Sequence, residues 1–319
     1  MLQVLLVTFP FFVLVLLGYI AARRVMLPQA AIPGLNSFVL YFALPCMLYR
    51  FGASTPIAQL LNASTFFVYL ACALTMVAFT VAVTLSQRID WNNAAFGSLV
   101  AAFPNTGFMG VPLLVALLGA QAAGPAIVTI VVDMLVTTSL CIALSRLDSA
   151  GSAGARVALQ NALKGVASNP MPWSILAGGV SSYFGVLPFK PVMQTINLLA
   201  DAASPVALFT IGAVLARSQM NSTDPTPLAD YVPVAMKKLI LHPLLVLLVG
   251  TSAISLGVPL ERFSLTVMVL VAALPSASNV SLLAEKFGAN NGRIARIILV
   301  STALAFFTFS GAVHLMTGL

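Results

Sequence analysis

Charge is what this chain has least of. Only 7% of its 319 residues are Asp, Glu, Lys or Arg, where an ordinary soluble domain carries roughly a quarter. With 60% hydrophobic residues and a mean hydropathy of +1.03, a water-soluble fold of this length could not cover its own surface. The apolar residues fall in runs of about 20, the length a helix needs to cross a hydrocarbon core of roughly 30 Å. They do not alternate polar and apolar over roughly ten residues, which excludes a transmembrane β-barrel. Such spans leave only short loops and no room for a soluble catalytic domain, so no enzyme is expected. Cysteine is scarce too. Cys46, Cys72 and Cys141 lie in apolar stretches without Cys-x-x-Cys or Cys/His spacing, so neither a disulfide framework nor a metal site is expected. The formal charge of +7 comes from bases scattered through short loops, a pattern of membrane orientation rather than of nucleic-acid binding.

What is there reads as an all-α integral membrane protein of ten transmembrane helices, the first over 2–22 and the others over roughly 29–50, 62–86, 93–118, 122–145, 170–187, 191–216, 233–256, 262–286 and 293–316. The first segment has no base before it and Arg23-Arg24 after it, the reverse of a secretory signal, so it is expected to stay as a helix. Alternating the loops puts twelve bases on one side, among them Lys237 and Lys238, and only Arg50, Lys190 and Arg262 on the other. The rule that basic loops stay inside then places both termini on the non-cytoplasmic side. The Gly/Ala/Ser-rich stretch 146–169 reads as a flexible cytoplasmic linker between two halves, 1–145 and 170–319.

The halves resemble each other. At an offset of 160, Pro10, Gly18 and Pro28 recur as Pro170, Gly178 and Pro188, and Ala43, Pro45, Leu48 and Gly52 recur as Ala203, Pro205, Leu208 and Gly212. Val100-Ala101-Ala102-Phe103-Pro104 recurs as Val271-Ala272-Ala273-Leu274-Pro275, at an offset of 171. Five helices per half is an odd number, so the repeats are expected to be inverted. Inverted repeats with interrupted helices at matching positions are the architecture of secondary transporters, with the site where the breaks meet.

The interruptions are explicit. Pro104-Asn105-Thr106-Gly107-Phe108-Met109-Gly110-Val111-Pro112 puts two prolines and two glycines inside the fourth span, and Pro275-Ser276-Ala277-Ser278-Asn279 does the same in the ninth. Asn105 or Thr106 is expected to cap the second half-helix, whose positive end favours an anionic group. Asn105, Thr106, Gly107, Ser276, Ser278 and Asn279 are therefore the candidate substrate-binding residues, with Pro104 and Pro275 marking the crossover.

These residues carry a family resemblance. The run Pro104-Asn105-x-Gly107-x-x-Gly110-x-Pro112, with Leu35-Asn36…Phe42-Ala43-Leu44-Pro45, Asn169-Pro170 and Ala203-x-Pro205-x-Ala207-Leu208-x-x-x-Gly212, resembles the auxin efflux carrier family, and its compact form resembles bacterial malonate transporters. The resemblance implies crossed helices 4 and 9 in a fold similar to sodium/proton antiporters and bile-acid symporters, a homodimer in a bacterial inner membrane, and elevator-like motion. It also implies Asn105 as a carboxylate ligand. The loop after the fifth helix is short here, unlike that of plant members, which argues against regulation through it and against an auxin substrate.

Ionisable groups inside spans are expensive and mark candidate sites. Asp133 lies with Thr129 and Thr137 on one helical face, and Asp201 lies with Asn197 and Ser204 ahead of Pro205. Either could hold a coupled proton or sodium ion, or be tied into a structural network. His242 beside Pro243 is a further candidate proton carrier or packing residue. No Lys or Arg is placed at a span centre. The leading expectation is a carrier of a small organic carboxylate, malonate or a similar dicarboxylate, by alternating access. The alternatives are a cation/proton antiporter using Asp133 and Asp201, an efflux carrier for an auxin-like aromatic acid, an intramembrane aspartyl protease, and a receptor or scaffold. The protease lacks a Gly-rich element around its two acids, and a scaffold gives no return for two broken helices.

Overall fold

A computed structural model describes residues 2–60, 62–147, 160, 170–221 and 226–318. Most of the expected linker 146–169 lies outside the described residues. Those described are almost wholly helical: α1 Leu2–Arg23, α2 Gln29–Ser54, α3 Ala63–Thr84, α4 Trp91–Ala102, α5 Thr106–Leu118, α6 Ala120–Leu144, α7 Pro170–Phe184, α8 Lys190–Asn221, α9 Leu228–Ser255, α10 Arg262–Ala273, α11 Asn279–Lys286 and α12 Asn291–Thr317. Seven of them are long and apolar enough to cross a membrane by themselves. The expected fourth and ninth spans are each divided, into α4 with α5 and α10 with α11, and the expected sixth is the 15-residue α7. Large apolar side chains face outward, including Phe67, Leu198, Leu248 and Phe307, each more than 60% exposed. Such a surface suits a membrane or a protein partner rather than water.

Proline shapes three of the helices. A proline ring collides with the carbonyl four residues earlier. For Pro45, Pro112 and Pro243 that carbonyl belongs to Tyr41, Phe108 and Leu239, and each lies inside a wider π-helical turn, Val39–Ala43, Thr106–Gly110 and Lys237–Leu241. The wide turn moves the carbonyl aside, so α2 and α9 run on through their prolines. A fourth wide turn, Asp133–Thr137, has no proline two residues on. There Thr138 Oγ1 donates to the Asp133 carbonyl at 2.8 Å, a side chain inserted into the backbone ladder.

Glycine fixes the closest helix contacts. At Gly18 in α1 an added Cβ would stand 1.8 Å from the Phe209 carbonyl oxygen, and at Gly212 in α8 it would stand 1.9 Å from that of Val15. At Gly178 in α7 it would stand 2.5 Å from the Tyr49 carbonyl oxygen, and at Gly52 in α2 it would stand 3.1 Å from that of Ile175. The offset of 160 carries Gly18 to Gly178 and Gly52 to Gly212, and the four contacts pair α1 with α8 and α2 with α7. Helices α1, α2, α7 and α8 thereby pack backbone to backbone, without the side-chain layer that would let them slide.

The basic end is tied by caps and one buried arginine. Asp90 and Asn290 accept from the Asn93 and Arg293 amides at the starts of α4 and α12, and the Asn290 amide donates to Asn93 at 2.7 Å. Arg293 donates to the Asn93 and Asp230 carbonyls at 2.9 and 2.8 Å, with its guanidinium against Gly97.

Gly18→Ala and Gly212→Ala should each lower the melting temperature of the detergent-solubilised protein by several degrees, the overpacking costing about 1–3 kcal/mol. Gly311→Ala, where an added Cβ meets nothing within 4 Å, should be neutral or stabilising. Equal melting temperatures for all three would refute the close-contact account.

Candidate functional site

The two breaks meet. Between α4 and α5 the chain is extended at Phe103, with φ −93° and ψ 103°, and between α10 and α11 it is extended at Leu274, with φ −62° and ψ 157°. Pro104 and Ser276 form an isolated antiparallel bridge. The Asn105 amide donates to the Pro275 carbonyl and the Ala277 amide to the Phe103 carbonyl, both at 2.9 Å. Each break thus satisfies groups that the other frees, which is what makes non-helical backbone tolerable at membrane depth. The close fit extends to Gly110, where an added Cβ would stand 2.5 Å from Leu274 Cδ1.

The side chains at the breaks do not do what the sequence suggests. Asn105 occupies the capping position of α5, but its side chain accepts no cap bond, and Ser278 likewise leaves α11 uncapped by its side chain. The cause is the wide first turn: the Met109 and Gly110 amides both donate to the Asn105 main-chain carbonyl, at 3.1 and 3.0 Å, so backbone takes the role expected of a side chain. Thr106 Oγ1, Ser276 Oγ and Asn279 Oδ1 are buried without a hydrogen-bond partner among the described residues. A buried polar atom left so costs about 1–3 kcal/mol. All three belong to the two broken segments, Thr106 to the first and Ser276 and Asn279 to the second. Gly107, half-buried beside them, meets only Leu44 Cδ2 at 3.8 Å. It leaves the α5 N-terminus open, where first-turn amides lack intrahelical partners.

Beside the breaks lies a second, charged cluster. Asp133 in α6 is fully buried and accepts from the Tyr69 hydroxyl at 3.0 Å and from Thr137 at 3.3 Å. Lys238 in α9 is also fully buried. Its ammonium donates to the Ala272 carbonyl at 2.5 Å and lies 3.2 Å from His242 Nδ1. Ala272 is in the last turn of α10, whose C-terminal end carries partial negative charge. Lys238 therefore ties α9 to the base of the second break.

Two expectations fail. Lys238 was counted in a basic loop, with no Lys or Arg at a span centre. It sits instead inside α9, because the wide turn Lys237–Leu241 carries the helix through the Lys-Lys pair. Asp201 was placed inside, on a polar face with Asn197 and Ser204. Its side chain is 69% exposed and paired with Arg50 of α2 at 2.7 Å. The salt bridge joins two neighbouring helices on the outer face, so Arg50 lies in a helix rather than a loop. Tyr69, Lys238 and Asn36 were missed as candidate site residues. Asn36 lines a small cavity with Phe108 and Ser278 at the breaks.

Known proteins bear on the site. The description "Membrane transport protein" matches residues 4–313 of the chain. The chain is 31% identical over 313 residues to a Rhizobium meliloti (strain 1021) protein named "Putative malonate transporter", covering 96% of this chain and 94% of that protein. It is 28% identical over 290 residues to an Escherichia coli (strain K12) protein named "Uncharacterized transporter YfdV", covering 87% and 86%. It is 26% identical over 297 residues to an "Uncharacterized transporter" of Methanothermobacter thermautotrophicus, covering 92% of each.

Removing either buried group leaves its hydrogen-bond partners unsatisfied, Tyr69 and Thr137 for Asp133 and the Ala272 carbonyl for Lys238. Lys238→Met and Asp133→Asn should each destabilise the protein by about 1–3 kcal/mol. The double variant should lose less than the sum, read as melting temperatures in a double-mutant cycle. Strict additivity would show that the two groups do not interact.

Proposed function

The chain belongs to the membrane transport protein family, that of the auxin efflux carriers, and we propose that it carries a small organic carboxylate, malonate or a similar dicarboxylate. It is a multi-pass membrane protein with the helices of a transporter. The observation that carries the reading is the bridged pair of breaks with its unpaired hydroxyls, Thr106 Oγ1 and Ser276 Oγ, which can donate to an anion, while Asn279 Oδ1 can only accept, from a protonated or solvating group. The Asn105 side-chain carboxamide, which makes no cap bond, adds two donors. A carboxylate is flat, accepts several hydrogen bonds, and matches half-helix amides better than a bare cation does. Gly107 and Ser278 complete the site, and Pro104 and Pro275 hold it open. The relative named for malonate supports the substrate class.

The finer architecture belongs to this proposal. Ten passes form two inverted five-helix repeats, with both termini on the non-cytoplasmic side of a bacterial inner membrane. The protein is a homodimer surrounded by lipid. The glycine-locked group of α1, α2, α7 and α8 is the fixed frame, and the breaks with α3, α6 and α9 are the part that moves in an elevator-type cycle. Asp133 with Lys238 and His242 is the proposed coupling site for a proton or sodium ion. With Asp201 paired on the outer face, the cation/proton antiporter alternative rests on Asp133 alone.

Asn105→Ala should abolish uptake of labelled malonate into proteoliposomes, with expression and melting temperature retained, and undiminished uptake would remove Asn105 from the site. Asp133→Asn should alter the response of uptake to imposed proton and sodium gradients. An unchanged response would make Asp133 structural.

A further inference from the structure

We propose that a polar vestibule on the basic face and the small cavity at the breaks form one access route, and that Arg217 is the residue that draws the carboxylate into it. The proposal rests on the carboxylate reading above. The vestibule has a volume of about 510 Å³ and is walled by Gln29, Pro33, Val214, Arg217, Ser281 and Glu285. The inner cavity, about 10 Å³, is walled by Asn36, Val39, Phe108, Thr210, Val214 and Ser278. Val214 belongs to both.

The continuity shows on three helices separately. On α8 the lining residues are Ala207, Thr210, Ile211, Val214, Arg217 and Ser218, a stripe at helical spacing about 16 Å long. On α2 they are Gln29, Pro33, Asn36 and Val39, and on α11 Ser278, Ser281 and Glu285. Each stripe begins in the vestibule and ends at the breaks, so three walls describe one path. The inner cavity has room for about one water. A carboxylate therefore waits in the vestibule until the glycine-locked helices and the breaks part.

Charge in the vestibule is unequally committed. Arg217 makes no hydrogen bond or ion pair among the described residues. On the facing wall Asn291 Nδ2 donates to Glu285 at 3.4 Å, and Ser281 Oγ donates to Asn291 at 2.5 Å. Glu285 is thus held in a hydrogen-bonded chain, while the Arg217 guanidinium is left to meet an anion, as a planar fork suited to a carboxylate. Glu285 opposes the same anion. The two residues therefore have effects of opposite sign on it, whereas two halves of an ion-pair gate would have effects of the same sign.

The test reads the field and the transport separately. Ser218→Cys is made in a Cys46→Ala background, Cys72 and Cys141 being buried. The purified full-length protein is then treated with sulfonatoethyl and trimethylammonioethyl methanethiosulfonate, of negative and positive charge. Relative to a free thiol, the anionic reagent should be favoured about fivefold at low salt. Arg217→Gln should abolish that preference and Glu285→Gln should raise it. An unreactive Cys at 218, or a preference that Arg217→Gln does not change, overturns the proposal. In proteoliposomes, Arg217→Gln should raise KM for malonate about fivefold to tenfold with maximal rate within about twofold, Arg217→Lys should restore most of it, and Glu285→Gln should lower KM. Shifts of the same sign in Arg217→Gln and Glu285→Gln would establish a gate instead. Wild-type protein that moves no carboxylate while the thiol preference still follows Arg217 would sink the carboxylate reading and keep the electropositive route.

Discussion

The antiparallel pairing of the two breaks is the interaction on which the rest depends. Two helices abandon their backbone ladders in a medium with no water to replace them, and an unsatisfied amide or carbonyl there costs several kcal/mol. Neither break could exist alone. Phe103, Asn105, Pro275 and Ala277 exchange two main-chain bonds, and that exchange holds two half-helix ends and three unpaired side-chain oxygens at one place. The prolines make each break, and the partner break makes it affordable in energy.

Charge placement follows from the same constraint. Breaking α10 leaves a negative helix end inside the protein, and Lys238 answers it through the Ala272 carbonyl. Asp133, also fully buried, has its carboxylate hydrogen-bonded by Tyr69 and Thr137. Burying charged groups is a poor source of stability, because desolvation offsets any attraction between them, so Asp133 and Lys238 are better understood as serving the proposed site than the fold.

Much of this could be read along the chain where the cause is local. Proline and glycine clusters break helices by their own stereochemistry, so the positions of both breaks were legible. The offset of 160 was legible as well, and it carries the glycine contacts of one half onto the other. Capping by Asn105 was misread, because the wide turn that makes it needless depends on how Pro112 displaces the Phe108 carbonyl. Lys238 was misread because Lys-Lys ordinarily ends a span, and its acceptor lies 34 residues away. Asp201 was misread because an acid in an apolar run looks buried until Arg50 of another helix appears beside it.

By itself, the sequence determined the membrane as solvent, the helical class, the two breaks and the family, since hydropathy and backbone stereochemistry are properties of short segments. The tertiary structure decided which face each polar residue turns inward. Thr106, Ser276 and Asn279 are buried at the breaks, Asp133 and Lys238 are buried, Asp201 is turned out, and Arg217 lines a vestibule. The reason is physical. The energy of a charge or an unpaired oxygen in a low-dielectric interior depends on its neighbours in space, and those neighbours come from helices far apart in the chain.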